Sequence, residues 1–389
     1  MTATVVNVLG LPDAPRPRHA PRILFVPVSG TYGMGEYARS LAIARAASRH
    51  WPGASIHFAL SRQAPYAAEA PFPKTLLDSS PTFHSAAIIE LLENWRPDVV
   101  VFDNAGRTVQ LRAARRLGAR IVYISSRRRQ RLKAFRLSWM RLIDEHWIAY
   151  PAFIAGPLTR FERFMLRMVG RPVVRYLDVV LSRADADQHS SILSRAGCAA
   201  GTFVLVVPGG GTGHPGGAEG AAGQFMAAAR ALAAGGVATV YVGPGDAPAT
   251  RESAADAGAI GSVRDPNWHR LGLLPQAELV ELMRAARLIV ANGGSTLLQA
   301  IACGSACVAV PIARDQAQRT RRCVAAGVAV ASILDAAGIV RAAERLLQNE
   351  PQRAALAGRA ARLGLADGVD VAMQALGRLL ESAPHAATR

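Results

Sequence analysis

Glycines and small hydroxyl side chains follow an apolar run near residue 290, and this combination of residue types can bind phosphate. The run Leu288–Ala291 predicts a buried strand, the sequence NGGST ends it at 292–296, and the run Leu297–Cys303 predicts a helix. Glycines let the backbone approach a ligand closely. Free N–H groups and the helix dipole favour anionic oxygens at a helix N-terminus. The spacing therefore predicts an anion cradle.

A second predicted strand ends beside an acidic and an amide side chain. The run Ala306–Pro311 predicts that strand, and Asp315 and Gln316 follow it. Ligands of open parallel sheets bind at the carboxyl ends of the strands, so both groups are expected at one crevice. Phosphate donors beside side chains that hydrogen-bond hydroxyls suit a sugar joined to a diphosphate.

Two further glycine-rich turns carry candidate chemistry. The sequence SGTYGMGEY at 29–37 contains Glu36, and the sequence PGGGTGHPGG spans 208–217. A glutamate at a helix start near a crevice can act as general base toward an acceptor hydroxyl. Asp103 ends the predicted strand Asp98–Phe102 and is the second candidate catalytic residue. The structural alternatives are a favourable charge in a first helical turn for Glu36 and an ordinary turn residue for Asp103.

Apolar runs that alternate with helical runs position these groups. In the first half, strands are predicted at Ile23–Val28, Ser55–Leu60, Asp98–Phe102, Arg120–Ser125, Glu145–Ala149 and Leu177–Leu181. Helices are predicted there at Ala38–Arg49, Ser85–Trp95, Thr108–Leu117, Arg127–Ile143 and Phe161–Val169. In the second half, strands are predicted at Phe203–Val207, Ala238–Val242, Leu288–Ala291 and Ala306–Pro311. Helices are predicted at Gly223–Ala234, Ala277–Ala286, Gln316–Ala326, Ile339–Leu347 and Val369–Leu380.

This alternation predicts an α/β protein with two tandem Rossmann-like domains and an interdomain cleft. The expected divisions are a leader at 1–20, a first domain at 21–190 that binds an acceptor, and a second domain at 200–365 that binds a nucleotide sugar. Residues 366–389 form a final helix and tail, and the helix is expected to pack back on the first domain.

Bulk composition narrows the function classes. Half of the 389 residues are hydrophobic, and the N-terminus lacks a charged start followed by an apolar stretch, which predicts a cytoplasmic protein. The formal charge of +17 suits nucleic acid, an anionic membrane or a phosphorylated substrate, and a GC-rich genome is the alternative source of the arginines. No motif that reads bases is present, so nucleic acid is not expected. No cofactor or metal is expected, since the four cysteines lack metal-ligand spacing.

The second half resembles a known family. The segment 271–316, LGLLPQAELVELMRAARLIVANGGSTLLQAIACGSACVAVPIARDQ, is similar to the donor-binding signature of nucleotide-sugar glycosyltransferases with the two-Rossmann GT-B fold. The resemblance is to the lipid-linked N-acetylglucosaminyltransferase of peptidoglycan synthesis and to the UDP-sugar hydrolases of sialic-acid-like pathways. It is strongest over residues 271–330, moderate over 28–47 and weak from about 60 to 200.

The resemblance assigns roles to residues that match the family pattern. It implies donor binding by Gly210, Gly211, Thr212, Gly213, Leu273, Leu274, Gly293, Gly294, Ser295, Thr296, Gln299, Asp315 and Gln316. It implies an acceptor or phosphate loop with Gly33, Gly35 and Arg39. Two positions depart from the pattern. Gln299 stands where the family has a glutamate that binds the ribose, and Glu36 stands where the relatives have a histidine.

Basic and apolar side chains alternate in one segment of the first half. Arg127–Arg141 holds seven lysines and arginines among Leu132, Phe135, Trp139 and other apolar residues, and Phe161–Arg167 repeats this composition. Such a mixture suits an anionic membrane surface, which would bring a lipid-linked acceptor to a peripheral protein. The alternative is a solvated basic face whose apolar residues lie in the core.

The sequence as a whole predicts a metal-independent, inverting glycosyltransferase with a nucleotide-sugar donor, UDP-linked by resemblance, and a glycan or lipid-linked acceptor. Two alternatives remain open at this point. One is a nucleotide-sugar hydrolase in which Glu36 activates water. The other is a non-catalytic nucleotide-sugar-binding subunit, which Gln299 and the missing histidine favour.

Overall fold

The chain forms two compact units. The computed structural model describes residues 20–31, 34–181, 192–209, 220–243 and 266–381. The first unit comprises Met1–Val180 together with Ala366–Arg389, and the second comprises Leu181–Leu365. Each is an α/β unit built on a parallel sheet.

The first unit contains a sheet that has seven strands within the described residues, in the order β3-β2-β1-β4-β5-β6-β7. Its strands are β1 (Arg22–Pro27), β2 (Ser55–Ser61), β3 (Lys74–Leu77), β4 (Val99–Asp103), β5 (Arg120–Ser125), β6 (Glu145–Ile148) and β7 (Val173–Tyr176). Its helices include α1 (Gly35–His50), α2 (Ser85–Trp95), α3 (Thr108–Arg116), α4 (Arg128–Ala134), α5 (Leu137–Met140), α6 (Ala152–Ala155) and α7 (Arg160–Val169), with a 3₁₀ turn at Pro81–Phe83.

The second unit repeats the architecture with six strands in the described residues, in the order β10-β9-β8-β11-β12-β13. Its elements are α8 (Ile192–Arg195), β8 (Val204–Val207), α9 (Ala221–Ala234), β9 (Thr239–Val242), β10 (Trp268–Leu271), α10 (Gln276–Ala285), β11 (Leu288–Asn292), α11 (Ser295–Ala302), β12 (Cys307–Val310), α12 (Arg314–Ala325), β13 (Val330–Ala331), α13 (Ala336–Gln348) and α14 (Glu350–Arg362). The chain then returns to the first unit with α15 (Gly368–Glu381).

Apolar strands explain why these sheets form. β4 (VVVFD) and β11 (LIVAN) are buried at every position, which is the pattern of a parallel strand covered by helices on both faces. α15 contributes Val369, Met373 and Leu376 to the core on one face of the first sheet. The helix therefore packs on the first unit, as its apolar spacing predicts.

Each strand order reverses at one place, and this positions the candidate sites. In the first sheet the reversal lies between β1 and β4, and in the second it lies between β8 and β11. Crevices outside the carboxyl ends of the strands at such a switch point are where open α/β sheets bind ligands.

Some predicted elements are wrong. The strand predicted at Leu177–Leu181 is absent, and β7 lies earlier in the chain. Asp178 has a left-handed backbone (φ 51°), so regular pairing cannot continue, and Val179 makes an isolated bridge to Asp367. The helix predicted at Arg127–Ile143 is two short helices, α4 and α5. The elements β3, β10, β13 and α14 are additional to the predicted ones, and the three strands among them are short.

Candidate functional site

The two strand ends at the switch point of the second sheet pack closely together. Gly209 follows β8 with φ +79°, and Asn292 ends β11 with its side chain buried. A Cβ atom at position 209 would collide with the side-chain nitrogen of Asn292. Glycine is therefore required at 209 both by the backbone angle and by this contact.

The turn after β11 lies where the sequence predicts an anion cradle, and it leads directly into the N-terminus of α11. The Asn292 side chain accepts a hydrogen bond from the Gly294 backbone N–H at 3.1 Å, which fixes the turn, and Gly294 is the N-cap of α11. Ser295 is exposed and Thr296 is half-buried in the first helical turn. The first N–H groups of a helix have no intrahelical acceptors, so they can donate to an anion here.

A buried arginine lies behind the cradle. Arg319 Nη1 on α12 donates to the carbonyl oxygen of Gly293 at 2.7 Å, and Arg319 is 9% exposed. A Cβ atom at Gly293 would lie 2.5 Å from the Thr320 hydroxyl oxygen and 3.0 Å from the Gln316 carbonyl oxygen. The glycine therefore lets α12 approach the turn, and Arg319 adds a positive charge next to it. Arg319 and Thr320 are not among the site residues predicted from the sequence.

The predicted sugar-binding pair, Asp315 and Gln316, lies in the first turn of α12, and the two side chains differ in their exposure to solvent. Asp315 is 72% exposed in the first turn, with one carboxylate oxygen 3.6 Å from Arg319 Nη2. Gln316 is half-buried, and its side-chain oxygen accepts a hydrogen bond from the Ile312 N–H at 3.1 Å. The amide nitrogen of Gln316 is thus oriented by a bond to the backbone. Gln299 is half-buried on α11, and Leu273 is exposed.

Glu36 stands at the corresponding switch point of the first sheet. It lies half-buried in the first turn of α1, and Asn104 Nδ2 donates to its Oε1 at 2.8 Å. Asn104 follows β4 directly and has a left-handed backbone (φ 53°). Its side chain also accepts from the Ser126 N–H at 2.9 Å and donates to the Ser126 hydroxyl. The amide therefore fixes the carboxylate of Glu36 relative to the ends of β4 and β5.

Asp103 is held in a buried ion pair. Arg39 Nε and Nη2 donate to its two oxygens at 2.9 and 2.6 Å, and Asp103 is fully buried. Burial raises the pKa of Asp103 to about 6 and Glu36 adds to the rise, while Arg39 and the Ser40 hydroxyl oppose it. The bidentate pair ties α1 to the end of β4, which favours a positioning role for this aspartate.

Four predicted site residues lie outside the described residues: Gly33, Gly211, Thr212 and Gly213. Gly210 and the following residues of the second glycine-rich turn, to 217, lie outside them too. Gly35 is described, and it begins α1 with open space where a Cβ atom would be.

The basic segment at 127–141 differs from the surface predicted for it. Phe135, Trp139 and Met140 are buried, and the last two are nearly inaccessible to solvent. Arg131 is also buried, because it bonds Glu162. For these residues the structure favours the alternative in which the apolar side chains of a solvated basic face lie in the core, although Leu132 and Leu137 remain exposed. None of the helices in the described ranges combines the length and apolar character needed to span a bilayer.

Comparison with known proteins identifies a family. The profile of the family described as UDP-N-acetylglucosamine 2-epimerase matches residues 162–368, just over half of the 389 residues. Among curated proteins, no relative matches this chain.

Solved structures identify the fold. The spinosyn forosaminyltransferase SpnP is 15% identical with a TM-score of 0.60, covering 92% of this chain and 99% of its own. LpCGTa in complex with UDP is 15% identical with a TM-score of 0.61, covering 94% and 100%. A chain assigned as a UDP-N-acetylglucosamine 2-epimerase from Listeria monocytogenes is 15% identical with a TM-score of 0.54, covering 90% and 94%. The two-sheet α/β architecture is that of GT-B glycosyltransferases, as predicted.

Proposed function

The chain belongs to the UDP-N-acetylglucosamine 2-epimerase family, and from this premise we propose that it is a glycosyltransferase that moves a sugar from a UDP-sugar to a glycan or lipid-linked acceptor. The observation that carries the proposal is the cradle at 292–296, with the first turn of α11 in front and Arg319 behind. A diphosphate can accept hydrogen bonds from the free N–H groups of that helical turn, and its negative charge is attracted by the guanidinium group. LpCGTa, which has the same fold, is in complex with UDP, and this supports uridine as the base.

Glu36 is the proposed general base. Its carboxylate takes the proton from an acceptor hydroxyl while the hydroxyl oxygen attacks the anomeric carbon of the sugar. The bond from that carbon to the diphosphate oxygen breaks, and UDP leaves with the electron pair. Attack on the face opposite UDP inverts the anomeric configuration. Asn104 orients the carboxylate for this step through the 2.8 Å hydrogen bond.

The second unit stabilises the leaving group in this proposal. Negative charge that develops on the diphosphate meets the N–H groups of Ser295 and Thr296 and the nearby charge of Arg319. Fixed donors of this kind lower the barrier without a divalent metal. Asp315 and the amide nitrogen of Gln316 are the proposed contacts to the sugar hydroxyls.

The remaining predicted donor residues complete this assignment. Gln299 is the proposed contact to the ribose. Leu273 is the proposed contact to the base. Gly211, Thr212 and Gly213 remain proposed phosphate contacts on the strength of the sequence resemblance.

Epimerisation is the second candidate function. The family match and the fold of the Listeria chain favour it, since both carry the description UDP-N-acetylglucosamine 2-epimerase. The cradle serves this reaction as well, because the diphosphate must be bound in either case. Two other candidate functions remain. One is a hydrolase in which Glu36 activates water, and the other is a non-catalytic subunit that only binds the nucleotide sugar.

Product analysis separates these functions. The purified chain is incubated with UDP-N-acetylglucosamine, with and without added lipid or glycan acceptors, and the products are followed by proton NMR. Release of UDP only with acceptor is the expected result. UDP and free sugar without acceptor indicate a hydrolase, and a UDP-sugar with changed configuration at C2 indicates an epimerase. Absence of UDP binding in calorimetry would remove the nucleotide-sugar proposal altogether.

Glu36→Gln tests the assignment of the base. The amide keeps the shape but cannot accept the proton, so kcat should fall by about 100-fold or more, with UDP affinity unchanged. Glu90→Gln, an exposed position on α2, is the matched control and should retain full activity. Full activity in Glu36→Gln would exclude this residue as the base.

A further inference from the structure

Helix α7 presents apolar side chains to solvent in a regular row. Phe161, Phe164 and Met168 are 61%, 57% and 69% exposed. At about 100° per residue these positions fall within an arc of about 60°. Monomeric proteins rarely expose contiguous apolar surface of this kind without a partner. We call this row with its neighbouring arginines the α7 face.

The opposite side of the helix is firmly anchored, so the exposure does not arise from a loosely packed element. Glu162 is buried and receives two hydrogen bonds from Arg131, at 2.8 and 2.7 Å. Arg131 also donates to the carbonyl oxygens of residues 155, 156 and 157. Thr159 closes a capping box with Glu162 at the start of the helix. These bonds fix which side of α7 faces solvent.

Arginines border the apolar row. Arg160, Arg163 and Arg167 are exposed and, at the same helical spacing, form a second row beside the first. The helix carries one acidic residue, Glu162, which is buried and paired. The α7 face therefore combines an apolar row with an unopposed positive row on its own helix.

We propose that the α7 face docks on an anionic lipid bilayer. Helices with bulky apolar residues on one side and arginines beside them lie in the membrane interface, with the apolar side chains among the acyl chains and the cations at lipid phosphates. A second copy of the chain fits less well, because two-fold pairing of the same face would bring the arginine rows together. Phe161–Arg167 is one of the two segments whose composition suits a membrane surface, and docking through it goes beyond the proposed reaction.

Vesicle sedimentation of the full chain tests the proposal without any need for enzymatic activity. The protein is mixed with vesicles of phosphatidylcholine alone or of phosphatidylcholine with phosphatidylglycerol. Binding to the anionic vesicles is expected, with weaker binding to the neutral ones. The double variant F161S/F164S should lose at least about tenfold in binding. Phe83→Ser is the matched control, since Phe83 is 69% exposed in the 3₁₀ turn Pro81–Phe83 and does not belong to the α7 face.

The substituted side chains are exposed, so their replacement should not unfold the protein, and a loss of vesicle binding can be assigned to the α7 face. Thermal melting should show that F161S/F164S folds like the wild type. Equal binding by this variant and the wild type would mean that net charge alone attracts the protein, and the proposal would be wrong. A dimer in light scattering that F161S/F164S dissociates would assign the face to a second copy instead. Failure of the wild type to bind either kind of vesicle would also overturn it.

Discussion

Asn104→Asp tests how the proposed base is held in the first unit. The wild-type amide donates from Nδ2 to Glu36 Oε1 at 2.8 Å and accepts from the Ser126 N–H at 2.9 Å. Aspartate has the same shape and tolerates the left-handed backbone of this position. It can still accept from the Ser126 N–H, and the Ser126 hydroxyl can rotate to donate to it. Only the hydrogen bond to Glu36 is lost, because the donating amide group is replaced by a carboxylate oxygen, and two carboxylates then face each other.

The energetic cost follows from that contact. Two unit charges about 4 Å apart repel by about 4 kcal/mol at an effective dielectric constant of 20 and by about 1 kcal/mol in water. Glu36 is half-buried, so the cost lies between these limits. Since one pKa unit corresponds to about 1.4 kcal/mol, the repulsion raises the pKa of the carboxyl introduced at 104 by roughly one to three units above its unfolded value of about 3.9.

The sign of the pH dependence follows from linkage. A carboxyl whose folded-state pKa is raised binds more protons in the folded state than in the unfolded state, so stability falls as pH rises. Below about pH 4 both states are protonated and the repulsion is absent. The free energy of unfolding of Asn104→Asp relative to wild type should therefore decrease by about 1–4 kcal/mol between about pH 4 and pH 7.5.

Urea denaturation of both proteins across this pH range measures the effect. Asn104→Gly is the control, because glycine keeps the left-handed backbone and removes the side chain without adding charge. Its destabilisation should be nearly independent of pH. A pH-independent difference between Asn104→Asp and wild type would refute the contact between residues 36 and 104.

Three further changes probe other parts of the chain. Gly293→Ala should lower the free energy of unfolding by about 1–3 kcal/mol and greatly weaken UDP binding in calorimetry, because its Cβ would overlap the Thr320 hydroxyl. Arg131→Met should cost about 3–5 kcal/mol in urea denaturation, because it leaves the buried carboxylate of Glu162 unpaired. Gln299→Glu should lower the Kd for UDP by about fivefold, since a carboxylate makes charge-assisted bonds to a ribose diol.

A control variant for each of these three changes tests whether the stated contact causes the effect. Gly223→Ala lies where a Cβ atom meets nothing within 4 Å, so it should not destabilise the protein. Arg128→Met removes an exposed arginine from α4 and should change stability by less than about 0.5 kcal/mol. Gln299→Ala should weaken UDP binding, and equal affinity in the alanine and glutamate variants would contradict contact with the ribose.

Local pattern was sufficient for the strands that lie at the centre of each sheet. β4 and β11 are short apolar runs that end in one polar residue, and they are buried at every position, which is typical of central parallel strands. The same pattern does not find β10 or β13, because short strands at or near a sheet edge carry a weak periodic signal. It also placed a strand at 177–181, where the backbone of Asp178 prevents one.

The candidate sites divide in the same way. The glycine turn after β11 and the glutamate at the start of α1 could be predicted, because their signals lie within a few consecutive residues. Arg319 could not, since its role depends on how α12 packs against a turn 26 residues away. Asn104 could not be assigned either, since its bond to Glu36 joins positions 68 residues apart.

The sequence by itself determined the two parallel sheets, the glycine turn at the start of α11 and the basic character of the chain, because periodicity, glycine placement and charge are local properties. Tertiary structure decided which side chains those elements bring together and which they expose. It buried Trp139 and Phe135 in the segment that looked amphipathic, and it left Phe161 and Phe164 in solvent. The reason is physical: composition states how many apolar residues a helix has, but only packing determines which of them find a partner.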